Sequence, residues 1–340
     1  MSASGGSLPR YIAVRVLLII PMMLVLLTLV FILLRVAPGD PVSAAAGGKL
    51  NEHELDLRRH ALGLDRPLIV QYADYLWDAV RLKFGNAMSD GTPVTTLIRD
   101  HGGATLTLTV GAFIVAIAVG IPLGRLAGRY RDSAADAGIR LFGIVVYAAP
   151  IFWVGILLIM LVKSIDERWP TSGIASPQTI YDVPTHSHIL MLDALMARKD
   201  VGNVLQHHVL PCVVLGLMLS GIIVRLTRVN VVQTLKGDYV EAARARGIPE
   251  SRVVRKHAFR NALVPVITVI GLQVAITLSG AVLTENTFNW PGLGTDLVKY
   301  VLARDYVAVQ GLVTFFAFIV VVVSVVVDIV NALVDPRVRY

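Results

Sequence analysis

The sequence contains a single cysteine, Cys212, inside an apolar run. A disulfide framework or a cysteine-based metal centre within the chain is therefore excluded. Charge is also scarce. Only 16% of the 340 residues are Asp, Glu, Lys or Arg, where a soluble domain carries about 25%. The phosphate loop G-x4-G-K-[S/T] is missing, because Gly47-Gly48-Lys49-Leu50 lacks both the first glycine and the hydroxyl. The chain thus has no motif for hydrolysing ATP on its own. What it has in abundance is apolar surface: 55% of residues are hydrophobic and the mean hydropathy is +0.68. A soluble globule cannot bury that much, so the composition specifies a polytopic membrane protein, read as all-α from the spanning stretches below.

A spanning helix needs about 20 apolar residues, and six stretches supply them: Ile12–Leu34, Ala104–Gly124, Leu141–Val162, Val209–Val224, Leu263–Thr284 and Val307–Leu333. The fourth is short and is expected to extend through Arg225 towards Val232. The first is too long for a signal-peptide core and lacks a nearby small-x-small cleavage site, so it is expected to stay on the protein behind a short disordered tail, Met1–Ser7. Six spans place both termini on one side. The loops on that side hold 17 Lys and Arg in 76 residues, against 14 in 137 on the other. The positive-inside rule then puts both termini in the cytoplasm. The net charge of +7 lies beside membrane segments, which argues against nucleic acid as a partner. Three sections follow: 1–103, the first span and a long extracytoplasmic loop; 104–333, five spans with an inner loop at 225–262; and 334–340, a cytoplasmic tail.

Within the spans only Arg15 and Asp328 are charged. Self-powered carriers need ionisable groups in the bilayer to bind the coupling ion, so this scarcity argues against a stand-alone carrier. Asp328 is expected to pair with an arginine near the cytoplasmic face. Gly120, Gly124 and Gly128 recur every four residues and predict close helix packing, with Pro122 among them predicting a kink.

In the outer loops, Pro67–Phe84 has helical spacing of apolar residues and predicts a helix lying on the membrane or docked on the bundle. Thr92-Pro93 looks like a helix start, with the hydroxyl as cap. His186-Ser187-His188 and His207-His208 are read as an ordinary polar loop rather than a metal site, since no other ligand sits at a recognised spacing. His53, His60 and His101 share a loop with acids but show no catalytic spacing, which argues against a membrane enzyme. Asn289-Trp290-Pro291-Gly292-Leu293-Gly294 reads as a turn with one amphipathic anchor.

The inner loop Arg225–Ala262 carries most of the functional information. Asp238 is placed to cap a short helix with Glu241 in its first turn. Ala242, Ala243 and Ala245 favour the helix and leave a smooth surface. Gly247 suits the left-handed residue that ends it, and Pro249 forbids its return. A basic segment, Ser251–Arg260, follows, so two short helices at a bend are expected.

Glu241-Ala242-Ala243-x3-Gly247 resembles the signature loop of permease subunits of ATP-binding-cassette importers. The resemblance extends in order over about residues 10–339. Arg35-Val36-Ala37-Pro38-Gly39-Asp40-Pro41, Leu62-Gly63-Leu64-Asp65-Arg66-Pro67, Gly120-Ile121-Pro122-Leu123-Gly124, His257-Ala258-Phe259-Arg260-Asn261-Ala262, Trp290-Pro291-Gly292-Leu293-Gly294, Ala303-Arg304-Asp305-Tyr306 and Asp335-Pro336-Arg337-Val338-Arg339 are similar to the dipeptide/oligopeptide/nickel branch, and within it to dipeptide permease subunits of the B type. The loop ends without the Ile-x-Leu-Pro common elsewhere in the family, as is usual in this branch. Residues 166–206 look longer than is typical.

The resemblance implies the type I importer permease fold in the inner or plasma membrane. It implies a second homologous permease, two ATPase subunits that bind ATP and Mg, and an extracytoplasmic peptide-binding protein. No cofactor is implied for this chain. Glu241, Ala242, Ala243 and Gly247 would couple the ATPases to transport. Dipeptides or short oligopeptides would be the cargo, with nickel or another small solute as the alternative.

Overall fold

The computed structural model describes residues 8–36, 40, 42–43, 51–183 and 189–334. The tail Met1–Ser7, the Gly47–Leu50 stretch, His186-Ser187-His188 and the Asp335–Arg339 motif lie outside the described residues. Within them the chain is helical, with one isolated bridge between Asn86 and Pro93. In chain order the helices are α1 Leu8–Leu17, α2 Ile19–Val36, α3 Glu52–Ala61, α4 Leu68–Val80, α5 Val94–Arg129, α6 Ala134–Ala148, α7 Ile151–Ile165, α8 Pro177–Asp182, α9 Leu190–Ala197, α10 Val201–Thr234, α11 Asp238–Ala245 and α12 Glu250–Arg252. A π-helical turn, Val253–Ala258, then leads into α13 Phe259–Gly280, α14 Val282–Thr287, α15 Leu293–Leu302 and α16 Tyr306–Val334. Five segments are long and apolar enough to cross a membrane, and the bent pair α6–α7 makes a sixth if it is counted as one span.

The centre of the bundle is the pair α5 and α10. A Cβ on Gly120 would lie 2.7 Å from Ile223, one on Gly124 2.6 Å from Thr227, and one on Gly128 2.7 Å from Val231. Only glycine permits this approach. Gly216 on α10 returns the contact, its Cβ position 2.6 Å from the Ala112 carbonyl. Because the contacts advance together along both helices, α5 and α10 run parallel. The chain between them must cross back once, and α6–α7 supplies that crossing.

The expected continuous third span is therefore present but broken, with α6 and α7 meeting at 103°. The cause is Pro150. It has no N–H to continue the ladder, and it holds the preceding Ala149 extended at φ −70°, ψ 134°. Pro122 lies inside α5, which continues past it as one helix to Arg129.

The long helices also reach beyond the expected spans. At about 1.5 Å per residue, the 36 residues of α5 are far longer than a bilayer core of about 30 Å. The fourth span extends at both ends, so His207 and His208 belong to α10 rather than to a loop. Their Nδ1 atoms contact the carbonyls of Asn203 and Val204, at 2.9 and 2.7 Å. Among the described residues no three His, Cys, Asp or Glu side chains come together as a metal site.

The amino-terminal helices pack on α16, where Arg15 pairs with Asp328 at 3.1 Å, as the sequence suggests. The helix expected in Pro67–Phe84 is α4, and it docks on the bundle. Tyr72 meets Thr28 of α2 at 2.6 Å, and Tyr75 meets Thr314 of α16 at 2.7 Å. The start of α5 has no side-chain cap: Pro93 is the cap residue, and the Thr92 backbone N–H instead donates to Asp90 at 3.1 Å.

The glycine stripe makes a stability prediction. Gly124→Ile forces a branched side chain onto Thr227, and overpacking of this kind lowers unfolding free energy by about 2–3 kcal/mol. Gly138, mid-helix in α6, has nothing within 4 Å of its Cβ position, so Gly138→Ala raises stability by about 0.5–1 kcal/mol. Thermal unfolding of the purified protein reads both changes; equal effects at the two sites refute the close-packing account.

Candidate functional site

The loop 225–262 folds into a small module. After α10 ends at Thr234, Gly237 sits at the cap position and α11 begins at Asp238. Asp238 is thus the first residue of the helix rather than its cap, and no side chain caps it. Its carboxylate and that of Glu241 still occupy the first turn, where the helix dipole favours negative charge.

The helix ends as the sequence predicts. Gly247 has φ +72°, its N–H donates to the Arg244 carbonyl at 2.9 Å, and the Ile248 N–H donates to that of Ala243 at 3.3 Å. This double bond pattern is a Schellman ending, and Ile248 packs back beneath the helix as such endings require. Arg244 closes the bend through Nε and Nη2 to the two carboxylate oxygens of Glu250, at 3.0 and 2.8 Å. Those hydrogen bonds raise the Arg244 pKa above its ordinary value.

Burial divides the Glu-Ala-Ala series. Val240, fully buried, and Ala243, 6% exposed, pack on Val253 and Ala258. Asp238, Glu241, Ala242 and Ala245 lie on the opposite, exposed stripe, at i, i+3, i+4 and i+7. The four sequence-predicted residues are therefore brought together in one module, but on two faces. The second expected helix is not separate: α12, the π-turn and α13 form one run into the fifth span.

The stem beneath this module is clamped by a pair that sequence reasoning missed. Asp136, fully buried at the start of α6, accepts from Arg228 Nε at 2.6 Å and Nη2 at 2.7 Å. The backbone N–H of Asp132 donates to the same carboxylate at 2.9 Å. Nothing in sequence spacing signals a partner 92 residues away.

At the opposite end, Glu285 is another missed residue. It is fully buried and accepts from Thr105 Oγ1 at 2.7 Å and from the Thr295 N–H at 3.0 Å. Burial pushes its pKa up, against these hydrogen bonds. Gly292 and Gly294 leave the room that its carboxylate fills. Trp290, read from sequence as an interfacial anchor, is instead fully buried. Its Nε1 donates to the Ala104 carbonyl at 2.9 Å. The Trp-Pro-Gly-Leu-Gly motif is thus a wrap around a buried carboxylate. The available signal was an acid at the end of an apolar run, followed by a glycine-rich turn.

Residues 120–340 match the family described as binding-protein-dependent transport system inner membrane component, and residues 8–109 match the N-terminal region of such membrane components. The chain belongs to this family. It is a multi-pass permease subunit of an ABC importer. It is 39% identical to the dipeptide transport system permease protein DppB of Escherichia coli (strain K12), over 97% of this chain and 99% of that one. It is 37% identical to the di/tripeptide transport system permease protein DppB of Pseudomonas aeruginosa (strain UCBPP-PA14), over 97% and 98%. A putative peptide transport system permease protein of Brucella abortus (strain 2308) is 35% identical, over 96% and 98%.

The clamp of this permease can be tested by a double-mutant cycle. Arg228→Gln leaves the Asp136 carboxylate buried without its main partner and costs about 3–5 kcal/mol of stability. Adding Asp136→Asn recovers a large part of that loss. Additive losses in denaturant unfolding would show that the two residues act independently.

Proposed function

We propose that this permease imports dipeptides or short oligopeptides, driven by ATP hydrolysis in partner subunits. The observation that carries the reading is the near-full-length similarity to permeases named for dipeptide, di/tripeptide and peptide transport. The chain pairs with a second homologous permease to enclose the path. Two ATPase subunits, which hold ATP and Mg, bind on the inner side, and an extracytoplasmic peptide-binding protein delivers cargo. The chain itself is non-catalytic. Both termini lie in the cytoplasm, supported by the Lys and Arg bias of the loops.

In this reading α11 is the coupling helix. Glu241 and Ala242 face outwards and meet the ATPase: the carboxylate by charge, the alanine by allowing close approach. Ala243 seats the helix on the π-turn, and Gly247 sets the bend. Closure of the ATPases pushes α11, and the two permeases swing between inward- and outward-facing states by rigid-body motion.

Three measurements test this. Vesicles holding the full importer and its binding protein are expected to accumulate labelled dipeptide with ATP; accumulation of nickel but not peptide would assign the chain to the metal alternative. Glu241→Arg is expected to leave the complex in the membrane with ATPase activity but to lower peptide uptake at least tenfold. Normal uptake in that variant overturns the role of Glu241. Reporter fusions at either terminus are expected to be active only when the reporter works in the cytoplasm. Activity of a periplasm-only reporter would reverse the orientation.

A further inference from the structure

A second feature of the inner side is a cavity of about 320 Å³ lined by Arg125, Arg129, Ser251, Arg252, Val254 and Arg255. Four solvent-exposed arginines line it. Among the described residues, none of the four forms an ion pair with a carboxylate. The nearby Glu250 is already engaged by Arg244 at 2.8 Å. Four like charges lining one cavity favour an anion as its ligand.

Depth selects the anion. The apolar stretch of α5 from Ala104 to Gly124 covers about 31 Å at 1.5 Å per residue, the thickness of the hydrocarbon core. Arg125 therefore stands at the edge of the core and Arg129 about one turn beyond it, in the headgroup layer. The other wall is the run that leads into the spanning helix α13. The surroundings are amphipathic. Arg125 lies over the Phe259 ring at 5.4 Å, and Leu126 and Tyr130 on α5 remain exposed. A phosphate with acyl chains fits this arrangement better than an acidic protein surface, which would have to reach up to membrane level. Basic pockets between spanning helices on the cytoplasmic side are suited to such headgroups.

We propose that this four-arginine cavity binds the phosphate of one anionic phospholipid from the inner leaflet. The bound headgroup ties the end of α5 to the start of the run that carries the coupling module into α13. The proposal stands apart from the cargo assignment, because it is read by lipid binding and not by uptake.

The test uses the full chain, purified with its associated subunits and exchanged into nanodiscs of phosphatidylglycerol and phosphatidylcholine, followed by native mass spectrometry. The wild-type chain is expected to retain one phosphatidylglycerol with at least a tenfold preference over phosphatidylcholine. Each of R125Q, R129Q, R252Q and R255Q is expected to weaken retention about fivefold, and the fourfold Gln variant to abolish it. A fourfold Lys variant keeps most of it. R58Q/R81Q/R168Q/R198Q, with the same charge loss on the other side, leaves it unchanged. If the fourfold Gln variant fails to fold, the single variants and the wild-type preference decide. Equal retention of the two lipids overturns the proposal, as does retention that survives the Gln changes. Displacement of the lipid by millimolar inorganic phosphate would make a free anion the ligand. Loss of the ATPase subunits with lipid retention intact would make the cavity a protein contact. Either result also overturns it.

Discussion

The close approach of α5 and α10 sets the rest of the architecture. Helices in a bilayer gain little from apolar burial against each other, because lipid tails are equally apolar. Association must come from dense packing. The glycines at 120, 124 and 128 on one helix, and 216 on the other, let backbones come within van der Waals reach of β-branched side chains. That contact fixes a parallel register. It then dictates that the chain returns once between the two helices, and the bend at Pro150 is tolerated because the return is built from two packed halves. The two ends of the apolar stretch of α5 position other parts of the bundle. On one side Thr105 and the Ala104 carbonyl hold the Glu285–Trp290 wrap, and on the other Arg125 and Arg129 line the basic cavity.

The two buried carboxylates illustrate a common principle at opposite ends of the bundle. Asp136 and Glu285 are both removed from water, which is costly unless the lone pairs are filled. Asp136 is filled by a bidentate guanidinium and a backbone N–H, Glu285 by a hydroxyl and the first N–H groups of α15. Each joins elements distant in sequence. Each is held by structural donors that fix it to neighbouring elements.

Much of this was legible in the sequence, and the boundary of legibility has a physical basis. Local chemistry was readable: the spans from apolar runs, the stripe from glycine spacing, the end of α11 from Gly247 and Pro249, and the pairing of Asp328 with an arginine from charge in an uncharged setting. Long-range pairing was not. Arg228 with Asp136, His101 with Asp296 at 2.5 Å, and Ser89 with Asp305 at 2.7 Å all join residues about a hundred or more positions apart. Local cues also failed where tertiary packing overrode them. Trp290 has the chemistry of an interface anchor but is engulfed, and Thr92 has the chemistry of a cap but its chain is held by a bridge instead. His207 and His208 were misplaced because polar residues at a helix end resemble a loop when the helix outruns the membrane.

In the proposed coupling role, the division of the Glu-Ala-Ala series gives the two adjacent alanines different tasks. A helix that transmits a push must be stiff against its own protein and smooth against its partner. Ala243 serves the first requirement, since a larger residue would lift α11 off Val253 and Ala258. Ala242 serves the second, beside a carboxylate that makes no hydrogen bond among the described residues and is therefore available for a partner. Stiffness is completed by the Schellman bonds, by Arg244 to Glu250 across the bend, and by the unbroken passage through the π-turn into α13. In the proposed cycle a displacement of α11 is thus delivered to two spanning helices at once. One of them, α10, is locked to α5 by the glycine stripe and to α6 by Asp136. A load applied to eight residues must then move the core of the subunit as a body rather than bend the loop.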